Sequence, residues 1–97
     1  MREEKITSQF KKDARAAKAR GKDMAKLASV IKKLQADEPL DSRYKDHVLL
    51  GGWKPKRECH IEPDWLLIYD TSQPGLLILV RTGSHSDLFE KTKRKKK

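Results

Sequence analysis

Two apolar runs in the last third of the chain constrain its fold more than any other feature. Residues 65–69 read WLLIY and residues 76–80 read LLILV, so an extended chain would carry apolar side chains on both faces. A strand of this kind is buried on both faces and needs cover on each. The residues TSQPG at 71–75 form a turn between the runs. We therefore predict two paired central strands, at 66–69 and 76–80.

A third strand is predicted immediately before them. Residues 57–62 alternate in character, with Cys59 and Ile61 on one face and polar residues on the other. The polar face consists of Glu58, His60 and Glu62. This period of two is typical of a half-buried strand. A tight connection, Glu-Pro-Asp, leads from it into the apolar run, so the three strands form an antiparallel meander.

The first half of the chain predicts two helices. A first helix begins near Gln9, Gly21 is typical of a helix end, and Asp23 is typical of the N-cap of a second helix. The second helix has the stronger pattern, an apolar stripe at three- and four-residue spacing. That stripe consists of Met24, Leu27, Ala28, Ile31 and Leu34. Stripes of this kind are core far more often than cofactor sites, and we expect a helical hairpin that covers the sheet.

Together these elements predict one α+β domain at residues 1–90. We expect the N-terminal helical hairpin to pack on a small, twisted, mainly antiparallel sheet of about four strands, one of them a short strand at 5–8. A short C-terminal helical turn, capped by Ser84 or Ser86, follows the sheet. The long segment at 40–55 has no periodicity. Its apolar residues predict a loop pinned to the body, and they are Val48, Leu49, Leu50 and Trp53.

Positive charge is concentrated at the carboxyl end. The formal net charge is +9, but residues 91–97 carry six of these charges and no acidic residue, which leaves +3 for residues 1–90. A terminal run of like charge is usually a solvated, disordered tail. Its functional alternative is a non-specific grip on nucleic acid.

The sequence predicts a cytoplasmic protein. The first residues, MREEK, carry both signs of charge and no apolar segment follows them, unlike a signal peptide. The longest apolar runs have five residues, far short of the ~20 that span a bilayer. A single cysteine, Cys59, excludes an intrachain disulfide and agrees with a reducing compartment.

The three histidines, His47, His60 and His85, all lie in the half without a helical pattern. Histidine exchanges protons near neutral pH, so a histidine cluster beside basic residues suits general acid–base cleavage of a phosphodiester. RNA would supply its own 2′-hydroxyl as nucleophile and need no metal. Taken singly, each histidine is more often a structural residue, and a non-catalytic RNA- or ribosome-binding module is the alternative. Cys59 and His60 are adjacent and no metal-ligand pair has the usual spacing, so we expect no metal site or cofactor.

Three motifs carry a resemblance to a known family. They are YKDH at 44–47, ECHIEPDWLLIY at 58–69 and RTGSHSDLF at 81–89. In this order and spacing the chain resembles the YafQ branch of the RelE-like toxins, within the RelE/ParE toxin–antitoxin superfamily. The resemblance implies a RelE-like fold. It also implies a bacterial, ribosome-dependent endoribonuclease that cuts translated messenger RNA in the ribosomal A site.

The resemblance also implies partners and site residues. The partners are messenger RNA on the 70S ribosome, with ribosomal RNA contacts, and a cognate antitoxin; operator DNA is reached only through the antitoxin complex. The implied catalytic residues are His47, His60, Asp64 and His85. His85 would protonate the leaving 5′-oxygen, His60 or Asp64 would activate the 2′-hydroxyl, and His47 would stabilise charge on the phosphorane. The implied substrate contacts are Lys54, Arg57, Trp65, Arg81 and Phe89.

Overall fold

The computed structural model of the chain describes residues 1–90, and the predicted basic tail at 91–97 lies outside the described residues. The strands are β1 (Glu3–Ile6), β2 (His47–Val48), β3 (Arg57–Glu62), β4 (Trp65–Asp70) and β5 (Leu76–Gly83). They form one sheet in the order β1-β5-β4-β3-β2. The antiparallel meander of β3, β4 and β5 is confirmed.

The sheet has one strand more than the four or so that the sequence predicted. β2 pairs antiparallel with the start of β3 but has only two residues, too few for alternation to be visible. β1 pairs parallel with β5 and lies at residues 3–6 instead of 5–8. All four side chains of β1 are exposed, so no apolar pattern marks its position.

Both helices begin at capping residues. Helix α1 (Ser8–Ala19) follows Thr7, whose hydroxyl accepts a backbone N–H of the first turn. Helix α2 (Met24–Gln35) follows Asp23, whose carboxylate does the same, as predicted. Gly21 lies between them at a φ of +85°, a conformation that glycine adopts readily and that confirms the predicted helix end. No helix in residues 1–90 is long and apolar enough to cross a membrane.

The apolar stripe of α2 is centred differently from the predicted one. Leu27, Val30 and Leu34 are buried against the sheet, whereas Ala28 is exposed. The stripe had included Ala28, which was wrong, and omitted Val30. Positions three, four and seven residues after Leu27 fall on one helical face, and Ala28 lies at the edge of that face.

The central strands are covered on both faces, as their apolar runs predicted. The helices cover one face, where the principal core consists of Phe10, Ala17, Leu27, Val30, Leu34, Cys59, Ile61, Trp65, Leu67, Tyr69, Leu77 and Leu79. A smaller core on the other face consists of Leu49, Leu66, Ile68 and Leu88, with Trp53, Val80 and Phe89 packed against it. The loop before β3 and the C-terminal turn therefore cover this second face of the sheet, whereas α1 and α2 cover the first.

The long loop before β3 is pinned by fewer residues than predicted. It consists of two short 3-10 turns, one on each side of β2. Leu49 is buried and Trp53 is partly buried against the smaller core. Val48 and Leu50 are exposed, with 74% of Leu50 accessible. The prediction was therefore wrong for Val48, which lies in a two-residue edge strand that covers little of its own surface, and for Leu50, which lies after that strand.

A one-turn helix at Ser86–Glu90 follows β5 and closes the smaller core. The Ser84 hydroxyl accepts a hydrogen bond from the Asp87 N–H at 3.0 Å, and the Asp87 carboxylate accepts one from the Ser84 N–H at 3.1 Å. This reciprocal pair is a capping box. Of the two serines that the sequence offered, Ser84 is therefore the cap. Arg20 also donates to Asp87 at 2.9 Å, which ties this turn to the end of α1.

Candidate active site

Two of the three histidines meet at one carboxylate on the sheet. Glu58 and His60 lie two residues apart on β3 and project from the same face. In the register between β2 and β3, His47 lies directly opposite Glu58. The Oε2 atom of Glu58 is 3.1 Å from Nε2 of His47 and 3.4 Å from Nε2 of His60. A single carboxylate oxygen therefore contacts both imidazole rings.

These three side chains differ in exposure. Only 8% of the Glu58 side chain is accessible, against 17% for His60 and 54% for His47. The other ring nitrogen of His47, Nδ1, lies 3.1 Å from the carbonyl oxygen of Val48. Both nitrogens of His47 thus face acceptors, an arrangement that a protonated imidazole satisfies with two hydrogen bonds.

The third histidine is held by Asp64. Asp64 lies in the turn between β3 and β4, and His85 follows β5. The Oδ1 atom of Asp64 accepts a hydrogen bond from the His85 backbone N–H at 2.9 Å and is 2.6 Å from the ring Nδ1. The backbone bond and then the ring bond lower the pKa of Asp64. With Nδ1 engaged in this way, Nε2 of His85 is available to another molecule.

The histidines and an aromatic pair converge on one surface. The ring centroids of His60 and His85 are 5.7 Å apart, with the rings edge to face. Phe89 lies beyond His85, at 6.5 Å between centroids. Trp53 then contacts Phe89 edge to face at 5.7 Å. Ring contacts therefore run continuously from His60 and His85 to the aromatic pair of Phe89 and Trp53.

Comparison with protein-family models shows the family of this chain, because one family model matches nearly all of the described residues. The model describes a bacterial toxin of type II toxin–antitoxin systems, YafQ, and it matches residues 2–90. The chain belongs to the YafQ toxin family. Nearly the whole described chain is covered, so the resemblance carried by three motifs in the second half is confirmed and extends to the helices.

Individual proteins are similar to this chain over most of their own length. The mRNA interferase toxin YafQ of Escherichia coli strain K12 is 44% identical over 89 residues, which are 91% of this chain and 96% of the relative. The crystal structure of the E. coli DinJ–YafQ complex matches with a TM-score of 0.85 and 43% identity, covering 92% of this chain and 99% of the other. A metal-bound toxin from Helicobacter pylori matches with the same score and identity over 92% and 100%. The predicted α+β fold is thereby confirmed.

The structure brings together five of the residues that the YafQ resemblance implied, namely His47, His60, Asp64, His85 and Phe89. Their roles stay predictions. Lys54 is exposed and directly follows Trp53. A phosphate contact from Lys54 thus stays a prediction as well.

Trp65 does not lie on the site surface. It is 1% exposed within the principal core, and its indole N–H donates a hydrogen bond to the Thr82 hydroxyl at 3.0 Å. A buried indole in this position cannot stack on a substrate base. The prediction of Trp65 as a substrate contact is contradicted by its burial, and its role here is packing.

The two predicted arginine contacts are held elsewhere. Arg57 is an even number of residues from Cys59 and so faces the helices, where its Nε is 3.3 Å from Asp46. Arg81 makes a two-pronged contact to Asp13 of α1, at 2.7 and 3.2 Å. Both guanidinium groups therefore have carboxylate partners away from the histidines. This placement argues against Arg57 and Arg81 as phosphate contacts.

Two residues of the site had no predicted role in it. The alternation of β3 predicts Glu58 on the same face as His60, and a carboxylate two residues from a histidine on one strand face is the signal that the sequence offers. Trp53 had been assigned to packing of the loop. Only the fold brings Trp53 against Phe89, so sequence spacing contained no sign of that contact.

The same geometry offers a set of metal-ligating atoms. Within residues 1–90, one ligand atom from each of His47, Glu58 and His60 lies within 4.8 Å of the other two. Two imidazoles and a carboxylate are ligands that zinc accepts. Cys59 is excluded from such a set because burial raises the pKa of its thiol to about 12 and its side chain faces the principal core.

Proposed function

We propose that this chain is an mRNA interferase, a toxin that cleaves translated messenger RNA by metal-independent general acid–base catalysis. Family membership and the name of the E. coli relative support the reaction class. The single structural observation that carries the mechanism is the placement of His60 and His85 with their rings in contact, each beside its own carboxylate.

His85 is the general acid in this proposal. Asp64 binds Nδ1 of the ring, and its lowered pKa keeps the carboxylate ionised at neutral pH. Nε2 of the protonated ring, which Asp64 does not contact, can then deliver a proton to the leaving oxygen. Asp64 had been one of two candidates for the general base. Its two bonds to His85 make it better suited to position the acid.

His60 is then the general base. It lies next to His85 and is supported by the buried carboxylate of Glu58. His47 contacts the same carboxylate oxygen from the other side, and its protonated form would offset negative charge on the phosphorane. Glu58 thus acts as a positioning residue for two imidazoles.

Cleavage of the phosphodiester requires no reactant other than the RNA and the two histidines. His60 takes the proton of the 2′-hydroxyl, and the 2′-oxygen forms a bond to the adjacent phosphorus. The bond from phosphorus to the 5′-oxygen breaks, and that oxygen takes its proton from His85. The products are a 2′,3′-cyclic phosphate and a 5′-hydroxyl end, and both histidines have exchanged their protonation states.

The aromatic pair is suited to hold a base beside the cut. Phe89 and Trp53 meet edge to face next to His85 and are both only partly buried. Unpaired RNA bases commonly stack on such side chains. We assign Phe89 as the residue that orients a base, with Trp53 as its support and Lys54 as a nearby phosphate contact.

The partners follow from the family. An antitoxin partner is supported by the E. coli complex of YafQ with DinJ, and we propose that a cognate antitoxin neutralises this chain. We also propose that the message is cut in the A site of the 70S ribosome. The toxin then acts in the bacterial cytoplasm, where translating ribosomes lie.

Replacement of His85 by alanine tests the mechanism. Loss of the general acid should lower the rate of message cleavage on translating ribosomes by about 10² to 10⁴, while ribosome binding stays at the parental level. Ser86→Ala is the matched control, because Ser86 is the exposed neighbour in the same turn. Parental cleavage by His85→Ala would favour the alternative, a non-catalytic RNA- or ribosome-binding module.

A further inference from the structure

An open groove of about 670 Å³ begins at His60 and follows the outer edge of β3. Within residues 1–90, β2 pairs with β3 only at Arg57 and Glu58, so no strand covers the edge beyond them. The first turns of α2 form one wall of the groove. The 3-10 turn at Ser42–Tyr44 forms the other wall.

The side chains that line this groove carry uncommitted positive charge. Arg43 and Lys45 are exposed, and neither makes an ion pair with a carboxylate in residues 1–90. Within residues 1–90, the Arg43 side chain donates only to the hydroxyl of Tyr44, at 3.1 Å. Its guanidinium carbon also lies 5.0 Å from the Tyr44 ring centroid, which restrains the side chain. Arg43 and Lys45 are therefore free to bind an anion.

The negative charges in the groove are already engaged. The Asp23 carboxylate caps α2. Glu62 binds Lys22 at 3.3 Å and Lys26 at 3.0 Å, and these hydrogen bonds lower its pKa. The groove is lined by two acidic side chains and by three basic ones, Lys26, Arg43 and Lys45, so its lining carries a net positive charge.

We propose that this groove binds the phosphate backbone of the message next to the cleaved bond. The inference rests on the proposed function. His60 forms part of both the active site and the groove wall, so a strand with its scissile phosphate at His60 and His85 can continue directly into the groove. Phe89 and Trp53 lie on the other side of His85. The aromatic pair thus takes a base on one side of the cut, and the groove takes phosphates on the other.

Ribosomal RNA presents the same phosphate chemistry, and the test separates the two sources. The test variant is Arg43→Gln/Lys45→Gln, which keeps most of each side-chain stem and removes two charges. The control is Lys32→Gln/Lys33→Gln, an equal loss of charge at the far end of α2. The probes are a short single-stranded RNA, with a 2′-deoxy sugar at one position to block cleavage there, and vacant 70S ribosomes.

The groove variant should bind the single-stranded RNA about tenfold more weakly, as expected for loss of charged hydrogen bonds. The slope of log affinity against log salt should fall by about 0.7 for each lost phosphate contact. The control should change neither quantity. A loss confined to ribosome binding would assign the groove to ribosomal RNA and overturn the proposal, as would equal losses in both variants.

Cleavage measurements separate this inference from the proposed function. On translating ribosomes, the groove variant should show a lower kcat/KM while its kcat stays within a few-fold of the parental value. A parental protein that binds the RNA through the groove but never cleaves a message would refute the proposed function alone. A groove variant that binds and cleaves like the parent would refute only the inference.

Discussion

Asp64 and His85 form a hydrogen-bonded pair in the active site, and His85 is the residue proposed to protonate the leaving oxygen. Asp64 accepts both the backbone and the ring N–H of His85, and these bonds lower its pKa from the ordinary value of 3.8. A carboxyl whose pKa is lower in the folded state stabilises the fold above its unfolded pKa. That contribution is lost as pH falls through the folded value.

Asp64→Asn should therefore lose a stabilisation that depends on pH. At about pH 5, above the ordinary pKa of an aspartate, the difference in free energy of unfolding from the parent should be fully present. Below about pH 4 it should shrink. Urea denaturation of both proteins across this range measures the difference. A gap that is unchanged at pH 3 would show that Asp64 is not held by His85 in solution.

The Glu58 carboxylate gives a second prediction at the residue scale, because it shares its oxygen with His47 and His60. These three side chains present ligand atoms within 4.8 Å of one another. Zn²⁺ should bind there and take His60 out of proton transfer, so added Zn²⁺ should inhibit cleavage and a chelator should restore it. Mg²⁺, which prefers oxygen ligands, is the control ion.

Calorimetry checks where the zinc binds. His47→Ala should bind Zn²⁺ at least tenfold more weakly than the parent, while Ser86→Ala should bind it equally well. If His47→Ala and the parent bind Zn²⁺ with the same affinity, the ion lies elsewhere and the predicted site is wrong.

The secondary-structure elements show which parts of the fold a sequence reveals. β3, β4, β5 and both helices were predicted because each has enough residues for a period of two or of 3.6 to be visible. β1 and β2 are short edge strands with exposed side chains. Pairing with a neighbour defines them, and no pattern within either segment could have done so.

The site residues also divide into those that a sequence pattern reveals and those that only the fold brings together. His60 and Glu58 share a face because a strand alternates, which the sequence shows. His47 and Trp53 reach the site through the path of an aperiodic loop, which it does not show. Trp65 and Arg81 lie in matched motifs, yet burial of Trp65 and the contact of Arg81 with Asp13 hold both away from the histidines. A motif identifies residues, whereas the fold determines which of them meet.

The C-terminal turn carries His85 and Phe89, and its cap gives a prediction at the element scale. Ser84→Ala removes the hydroxyl that accepts the Asp87 N–H, so the free energy of unfolding should fall by about 1 kcal/mol. Cleavage should fall as well, because the turn positions both residues. Ser86→Ala, with an exposed serine outside the capping box, is the control.

Chemical denaturation and ribosome-dependent cleavage measure the two effects of Ser84→Ala. Equal behaviour of Ser84→Ala and Ser86→Ala would show that the capping box does not support the turn. A loss of stability with unchanged cleavage would show that His85 is positioned by Asp64 alone.

At the scale of the whole molecule, the charge is divided between a body of +3 and a tail of six positive charges. Many of the carboxylates in residues 1–90 cap helices or bind arginine and lysine side chains. The free positive charge therefore lies on exposed side chains. A surface of this kind attracts both RNA and an acidic antitoxin segment, and the sequence predicted this basic balance without showing where it lies.

Primer extension on a translated message, with and without ribosomes, shows whether this chain cuts messenger RNA and whether cleavage needs the ribosome. New 5′ ends should appear at the codon in the A site when purified parental protein is added to translating ribosomes. Addition of the cognate antitoxin should abolish those ends. Cleavage of the naked message at an equal rate, or no cleavage on ribosomes, would contradict the assignment of this chain as a ribosome-dependent mRNA interferase.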